Sequence, residues 1–339
     1  MADDSRSLAS AAPDAASRLA RLSIGVLRNP GSGANLRSGK AMRDELAAHP
    51  QVPCRDVTGP ADIVVALTEM AARGVDTIAI SGGDGTVSAV LDAVYGRSLF
   101  PQRPLIAVLR GGTANMTARC IGMRGPQHLA LRSLIGAGTG AGERLKVTRR
   151  PVMSVDRGDG HAAIHGMFFG AAAISQGIDY CKRRVHALGL RGEIGPAVTM
   201  LRFVLAMARG DRAIVSPVSM SVAVDDEPPV RFDCEIVHVT TLEQLVLGLR
   251  PWWGREPGPL HYASVRANPR HWIRALPGVL RGRPSRLVTE ANGYTSRNAH
   301  RLSVGLDSPF FVDGELYTPQ ARTPLTLTDA GPAEFVTMR

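Results

Sequence analysis

The chain has 339 residues, 44% apolar and 21% charged, a balance that excludes wholesale disorder and exceeds what one hydrophobic core comfortably holds, so two domains are expected. A net charge of +10 and an isoelectric point near 10.2 call for an anionic partner: a nucleotide, a phospholipid surface or a nucleic acid. Four scattered cysteines, Cys54, Cys120, Cys181 and Cys234, form no C-x-x-C pair and have no clustered histidines, which argues against a zinc site and fits a reducing compartment.

Residues 1–20, rich in Ala, Ser and Asp, read as a flexible tail. Asp3 and Asp4 stand where a secretory signal would carry positive charge. Residues 22–27 form an apolar strand that ends in the glycine loop Asn29-Pro30-Gly31-Ser32-Gly33, followed by a helix over 40–48. A strand is expected over 53–57 and a helix over 60–73, with Pro60 in its first turn and Gly74 at its end. Strand 77–80 leads into Ser81-Gly82-Gly83-Asp84-Gly85-Thr86 and a helix. Strand 105–109 leads into Arg110-Gly111-Gly112-Thr113-Ala114-Asn115, and a helix follows over 127–135. Strands alternating with helices predict an α/β layer with a mostly parallel sheet, whose loops gather at the carboxyl ends of the strands.

After residue 140 the pattern changes to period-two segments at 146–155 and 218–224, with further strands at 232–240 and 286–289 and one helix at 196–208. The apolar run 160–178 contains His161, His165 and several glycines and lacks the continuity of a membrane span. The expected organisation is a tail (1–20), an α/β nucleotide-binding domain (21–142, completed by 316–339) and a β-rich, sandwich-like domain (143–315), with a cleft between the two domains.

The 81–86 loop follows an apolar strand, and its glycines let successive backbone N–H groups approach a phosphate at a helix N-terminus. Asp84 would repel that anion unless a metal, a substrate hydroxyl or a cation stands between them. Taken alone, Asp313-Gly314 reads as a hairpin turn rather than a catalytic acid.

In order along the chain, Asn29-Pro30-Gly31-Ser32-Gly33, Gly82-Gly83-Asp84-Gly85-Thr86, Gly112-Thr113-Ala114-Asn115 and Asp313-Gly314-Glu315 resemble the diacylglycerol kinase catalytic family, which includes soluble bacterial lipid kinases and is similar to sphingosine and ceramide kinases. The resemblance implies ATP- and Mg²⁺-dependent transfer of a γ-phosphoryl group to a lipid primary hydroxyl, in a cleft between an NAD-kinase/diacylglycerol-kinase-like α/β domain and a C-terminal β-sandwich. It implies that Asn29, Ser32, Gly33, Thr58, Gly82, Gly83, Gly85, Thr86, Gly112, Thr113 and Asn115 line the nucleotide. It further implies that Asp313 is the general base, with Glu315 supporting it from the same strand face, and that Arg119 stands beside the site. Asp84 is then the residue that organises Mg²⁺ and charge. Met116 stands where the family usually carries an acid. Sphingolipid-type kinases also lack one there, so diacylglycerol, ceramide and a sphingoid base all stay open as acceptors. An NAD kinase, which shares the Gly-Gly-Asp-Gly-Thr loop, and a non-catalytic lipid or nucleic-acid binder are the alternatives.

Residues 250–286 carry eight arginines against the single acid Glu256, a net +7, and all three tryptophans, Trp252, Trp253 and Trp272. The two readings are a peripheral contact with an anionic lipid surface and a solvated basic face over core tryptophans. The resulting expectation is a cytoplasmic enzyme, peripherally membrane-associated, with no nucleic-acid partner and with a homodimer left open.

Overall fold

Parallel strands with apolar residues on both faces need helices on both sides, and the first half of the chain is built that way. The computed structural model describes residues 18–19, 21–112, 116–137, 145–180, 194–320 and 323–338. Strands β1 (Ile24–Arg28), β2 (Cys54–Asp56), β3 (Thr77–Gly82) and β4 (Leu105–Arg110) are parallel in the spatial order β4-β3-β1-β2. Between them run helices α1 (Gly33–Ala47), α2 (Pro60–Ala72) and α3 (Asp84–Gly96), with α4 (Met116–Ile121) and α5 (Gln127–Ala137) after β4. Alternation along β3 sends Ile78 and Ile80 into a core with Ile63 and Leu67 of α2 and Val87 and Val90 of α3, while Ala79 faces Met42, Leu131 and Leu134 of α1 and α5. Each fully buried aliphatic side chain there contributes roughly 1.5–3 kcal/mol. The carboxyl ends of β1, β3 and β4 therefore present their loops along one edge.

The rest of the chain is rich in strands: β5 (Leu145–Asp156), β6 (Ile164–Gly166), β7 (Phe168–Ala172), β8 (Val218–Val224), β9 (Val230–Thr240), β10 (Leu260–Arg266), β11 (Tyr294–Ala299), β12 (Arg301–Leu306), β13 (Phe310–Val312), β14 (Glu315–Tyr317) and β15 (Leu325–Met338). They curl around a second core that includes Met153, Phe169, Val237, Tyr262, Leu302, Phe310 and Leu327. Strand β15 links the two regions. Its first residues pair antiparallel with β12, Phe335 pairs parallel with Ile106 of β4, and β5 runs antiparallel along its length with an irregularity between Asp329 and Pro332. All fifteen strands among the described residues thereby join one hydrogen-bonded sheet.

Three local expectations need correction. Helix α1 begins at Gly33 rather than near residue 40: Asn35 is a poor helix former, but its side-chain bonds to the Asn29 and Ser81 carbonyls offset that preference. Residues 286–289 form no strand and lead into a 3₁₀ turn over Glu290–Asn292. Two further helices interrupt the strands beside α7 (Ile194–Arg209): α6 (Ala173–Tyr180) and α8 (Trp272–Leu280). The glycines and the internal Pro277 hide both from a periodicity reading.

Candidate active site

Three loops at the carboxyl ends of β1, β3 and β4 meet the β13–β14 turn around a cleft of about 500 Å³, inside the range typical of ligand sites. Asn29, Ser32, Gly33, Thr58, Gly83, Gly85, Thr86, Gly112 and Glu315 all line it, and Val57, Ile63 and Ala89 give it an apolar portion. No lysine or arginine lines it among the described residues, so an anion there would rest on backbone N–H groups and on the N-termini of α1 and α3. Gly82 lies at the buried end of β3 and is not part of the lining. Thr113, Asn115 and the side chain of Met116 lie outside the described residues.

The loops are held by hydrogen bonds that the motifs do not announce. Asn29 donates from Nδ2 to Thr86 Oγ1 at 3.1 Å, and its own Oδ1 accepts the Gly31 N–H at 3.0 Å. Beneath them lies a buried network of three side chains. Asn35 Nδ2 donates to the Asn29 and Ser81 carbonyls at 2.8 and 2.9 Å, Gln127 Nε2 donates to Asn35 Oδ1 at 2.7 Å, and Ser81 Oγ donates to Gln127 Oε1 at 2.7 Å. Buried amides without partners are costly, so this closed set fixes the first loop to the second. Thr58 donates through both N–H and Oγ1 to Asp62 Oδ2, at 2.9 and 2.6 Å, which sets the start of α2 at the cleft wall.

The acids divide by environment. Asp313 does not lie on a strand face as expected. It occupies the two-residue turn between β13 and β14, where Val312 pairs with Glu315, and its φ is +39°. Glu315 is exposed at the cleft whereas Asp313 is only 2% exposed, so the two carboxylates do not share a face. A turn inverts the period-two rule that holds along a strand. Gly314 follows at φ +123°, and a methyl group on it would stand 3.0 Å from the Gly85 Cα, so glycine lets this turn close against the start of α3.

Asp313 Oδ2 accepts the Met167 N–H at 2.6 Å, and Oδ1 has no hydrogen-bond partner among the described residues. Burial, and secondarily the charge of Asp84, push its pKa up to about 7, against the pull of the Met167 and Phe168 N–H groups. Met167 contributes only a backbone donor, which no sequence pattern could disclose. Asp84, at the first turn of α3, accepts the Thr117 N–H at 2.9 Å and so ties the start of α3 to that of α4. Arg119 is exposed in the last turn of α4 and is not among the residues lining the cleft.

A magnesium–nucleotide complex in this cleft would meet one lining carboxylate, Glu315, with Asp84 at the first turn of α3. Among the described residues no three His, Cys, Asp or Glu side chains converge as a cage. Mg²⁺ in phosphoryl-transfer sites is commonly held by one or two carboxylates plus phosphates and water. The described cysteines, Cys54, Cys120 and Cys234, are free. No described helix is long and apolar enough to cross a membrane. In 250–286 all eight arginines are exposed, while Trp272 is buried and donates Nε1–H to the Val204 carbonyl, Trp252 stacks on His261 at 5.2 Å, and Trp253 packs against the core beside it.

Comparison with known proteins agrees with this arrangement. A crystal structure of a diacylglycerol kinase from Bacillus anthracis str. Sterne is 17% identical, covers 93% of this chain and 96% of its own, and superposes with a TM-score of 0.57. A second diacylglycerol kinase-like protein from the same organism is 18% identical, with 93% and 94% coverage and a TM-score of 0.62. At this identity both speak for the fold alone. No curated protein matches the chain by sequence. Residues 23–147 match the diacylglycerol kinase catalytic domain family, a span that contains all three loops of the cleft. Residues 23–147 of the chain thus match a diacylglycerol kinase catalytic domain, a match that supports a kinase.

Proposed function

We propose that this kinase transfers the γ-phosphoryl group of ATP to the primary hydroxyl of a lipid: diacylglycerol, ceramide or a sphingoid base. The observation that carries the reading is Asp313, a buried carboxylate with one unpartnered oxygen and a pKa near 7, set in the turn whose next two residues, Gly314 and Glu315, wall the cleft. A general base works best with a pKa near the operating pH, and a carboxylate in this state accepts a hydroxyl proton at neutral pH.

In this reading the loops at Asn29–Gly33, Gly83–Thr86 and Gly112 hold the triphosphate by backbone donors, with Thr113 and Asn115 completing them, and Thr58 approaches the phosphates from the start of α2. Bound Mg²⁺ supplies neutralisation of phosphate charge, and Asp84 is the carboxylate that would hold it. Asp313 accepts the proton of the attacking hydroxyl through Oδ1 while Met167 fixes Oδ2, and Glu315 orients the incoming group at the cleft mouth. Arg119 compensates charge from the rim. Positioning and fixed dipoles then carry most of the catalysis. The enzyme works in the cytoplasm as a peripheral visitor to an anionic membrane. The exposed arginines of 250–286 are its contact, each contributing about 1 kcal/mol near such a surface, and the three tryptophans stay packed beneath them.

The test is incubation of purified protein with labelled ATP, Mg²⁺ and mixed micelles of each lipid, with NAD in a parallel arm. Label in one of the three lipids is expected. Label in NAD and no lipid would transfer the assignment to a nucleotide kinase, and label in none would end the kinase reading.

A further inference from the structure

A second cavity, of about 220 Å³, lies at the opposite end of the same α/β layer. It opens where the chain enters β4 and where α3 ends, whereas the nucleotide cleft lies at the exit of β4 and the first turn of α3. Its charged lining is three guanidinium groups, Arg18, Arg103 and Arg149, against the one carboxylate of Glu334, over an apolar floor that includes Val94 and Ile106.

The carboxylate is already engaged. Arg18, whose side chain is 9% exposed, donates to Glu334 Oε2 at 2.5 Å and to the Arg103 carbonyl at 3.2 Å. Arg149 donates from Nε and Nη2 to Glu334 Oε1 at 2.9 and 2.8 Å. No described carboxylate pairs with Arg103, whose guanidinium carbon sits 4.1 Å above the centre of the Tyr95 ring. Asp329, whose charge also acts on Tyr95, is exposed and accepts the Gly331 N–H. Burial pushes the Tyr95 phenol up to about 12, so it stays protonated, and its hydroxyl reaches the Gly331 carbonyl at 3.4 Å. The site thus has an excess of positive charge and an apolar floor that limits screening, and it is smaller than the roughly 300 Å³ at which drug-sized ligand pockets begin. Guanidinium donors converging from three chain segments match the several acceptor oxygens of a tetrahedral oxyanion.

We propose that this cavity is a second anion site, taking a phosphate-class oxyanion that fastens the last turn of α3 to the irregular stretch of β15 between Asp329 and Pro332. The ligand is a free phosphate, or the phosphate monoester of a small alcohol or lipid headgroup. The proposal is independent of the acceptor lipid and of the nucleotide.

The test is titration of the full chain with inorganic phosphate, with glycerol 3-phosphate, and with neutral vesicles carrying phosphatidic acid, for wild type, Arg103→Gln and Gly83→Val. Arg103 is exposed and at a loop position, so its replacement leaves folding intact, which a ligand-free thermal melt checks. Weakening by about tenfold or more in Arg103→Gln, with Gly83→Val unaffected, assigns the ion to this cavity. Weakening in the two soluble arms identifies a free phosphate or small ester, and weakening confined to the vesicles identifies a lipid headgroup. No binding by wild type in any arm, or equal binding by wild type and Arg103→Gln, overturns the proposal. Loss in Gly83→Val alone means that the ion sits in the nucleotide cleft, and also overturns it.

Discussion

Replacing Asp313 with Asn should make the protein more stable at pH 8 while removing its transferase activity. Asp313 titrates near pH 7 in the folded chain against 3.8 for its ordinary value. Between those two values the folded state keeps a proton that the unfolded state has lost, so stability falls as pH rises through the window. Below about pH 4 both states are protonated and the penalty vanishes. Above pH 7 it is complete, with a ceiling of about 4 kcal/mol from some three units at 1.36 kcal/mol each. Asn cannot ionise and escapes this penalty. Its amide oxygen can still accept the Met167 N–H, while its NH₂ takes the unpartnered Oδ1 position at a cost of about 1–3 kcal/mol. The amide cost does not change with pH, so the cleaner quantity is the difference between conditions. Relative to wild type, Asp313→Asn should gain about 2–3 kcal/mol between pH 5 and pH 8, because wild type alone pays across pH 5 to 7. Urea denaturation of both proteins at the two pH values, without nucleotide, reads this directly. A stability difference that does not change with pH would refute the raised pKa, and with it the account of how burial prepares this carboxylate.

Three further outcomes follow from the same geometry. Asp84→Asn removes the neighbouring charge that raises the Asp313 pKa, so the acidic limb of the pH–rate profile should move to lower pH in whatever activity remains; an unmoved limb would mean that the two acids are not coupled. Gly314→Ala places a side chain at φ +123° and 3.0 Å from the Gly85 Cα, and should cost on the order of 1–3 kcal/mol and depress kcat, measured by thermal melting and by turnover. Asn35→Ala removes the acceptor of Gln127 Nε2 and the donor to the Asn29 and Ser81 carbonyls, and should lose about 1–3 kcal/mol and raise the KM for ATP, whereas an effect on stability alone would separate the network from the cleft.

The sequence was most legible where local chemistry and tertiary context agree. Strand β3, the loop after it and α3 are announced by an apolar run, three glycines and a helical pattern; β3 runs two residues past its expected end, and α3 starts inside the expected loop, at Asp84. The cleft residues Asn29, Ser32, Thr58, Gly83, Gly85 and Thr86 converge because they sit at the carboxyl ends of parallel strands or the helix starts that follow them. What escaped depends on long-range partners. Asn35 and Gln127 are 92 residues apart and read as ordinary polar residues until the fold buries them together. The Met167 backbone donor has no side-chain signature at all. Asp313 is marked by its place in an ordered set of motifs, and Asp313-Gly314 forms the hairpin turn that it reads as when taken alone; only the shared strand face with Glu315 fails, because a strand rule does not extend into a turn. Helix α8 escapes because Pro277 lies within it and its apolar face joins a cluster with residues far away in sequence, among them Ala173 and Phe203.

Whether Asp313 is the base of a lipid kinase is decided by transfer of label from ATP to the lipid panel by wild type and Asp313→Asn side by side at pH 8, with nucleotide binding measured on the same preparations. Transfer by wild type, a loss of at least about a hundredfold in Asp313→Asn, and unchanged ATP affinity are expected. Undiminished transfer by Asp313→Asn would contradict the assignment of the base and turn attention to Asp84, and no transfer by wild type to any lipid would contradict the function itself.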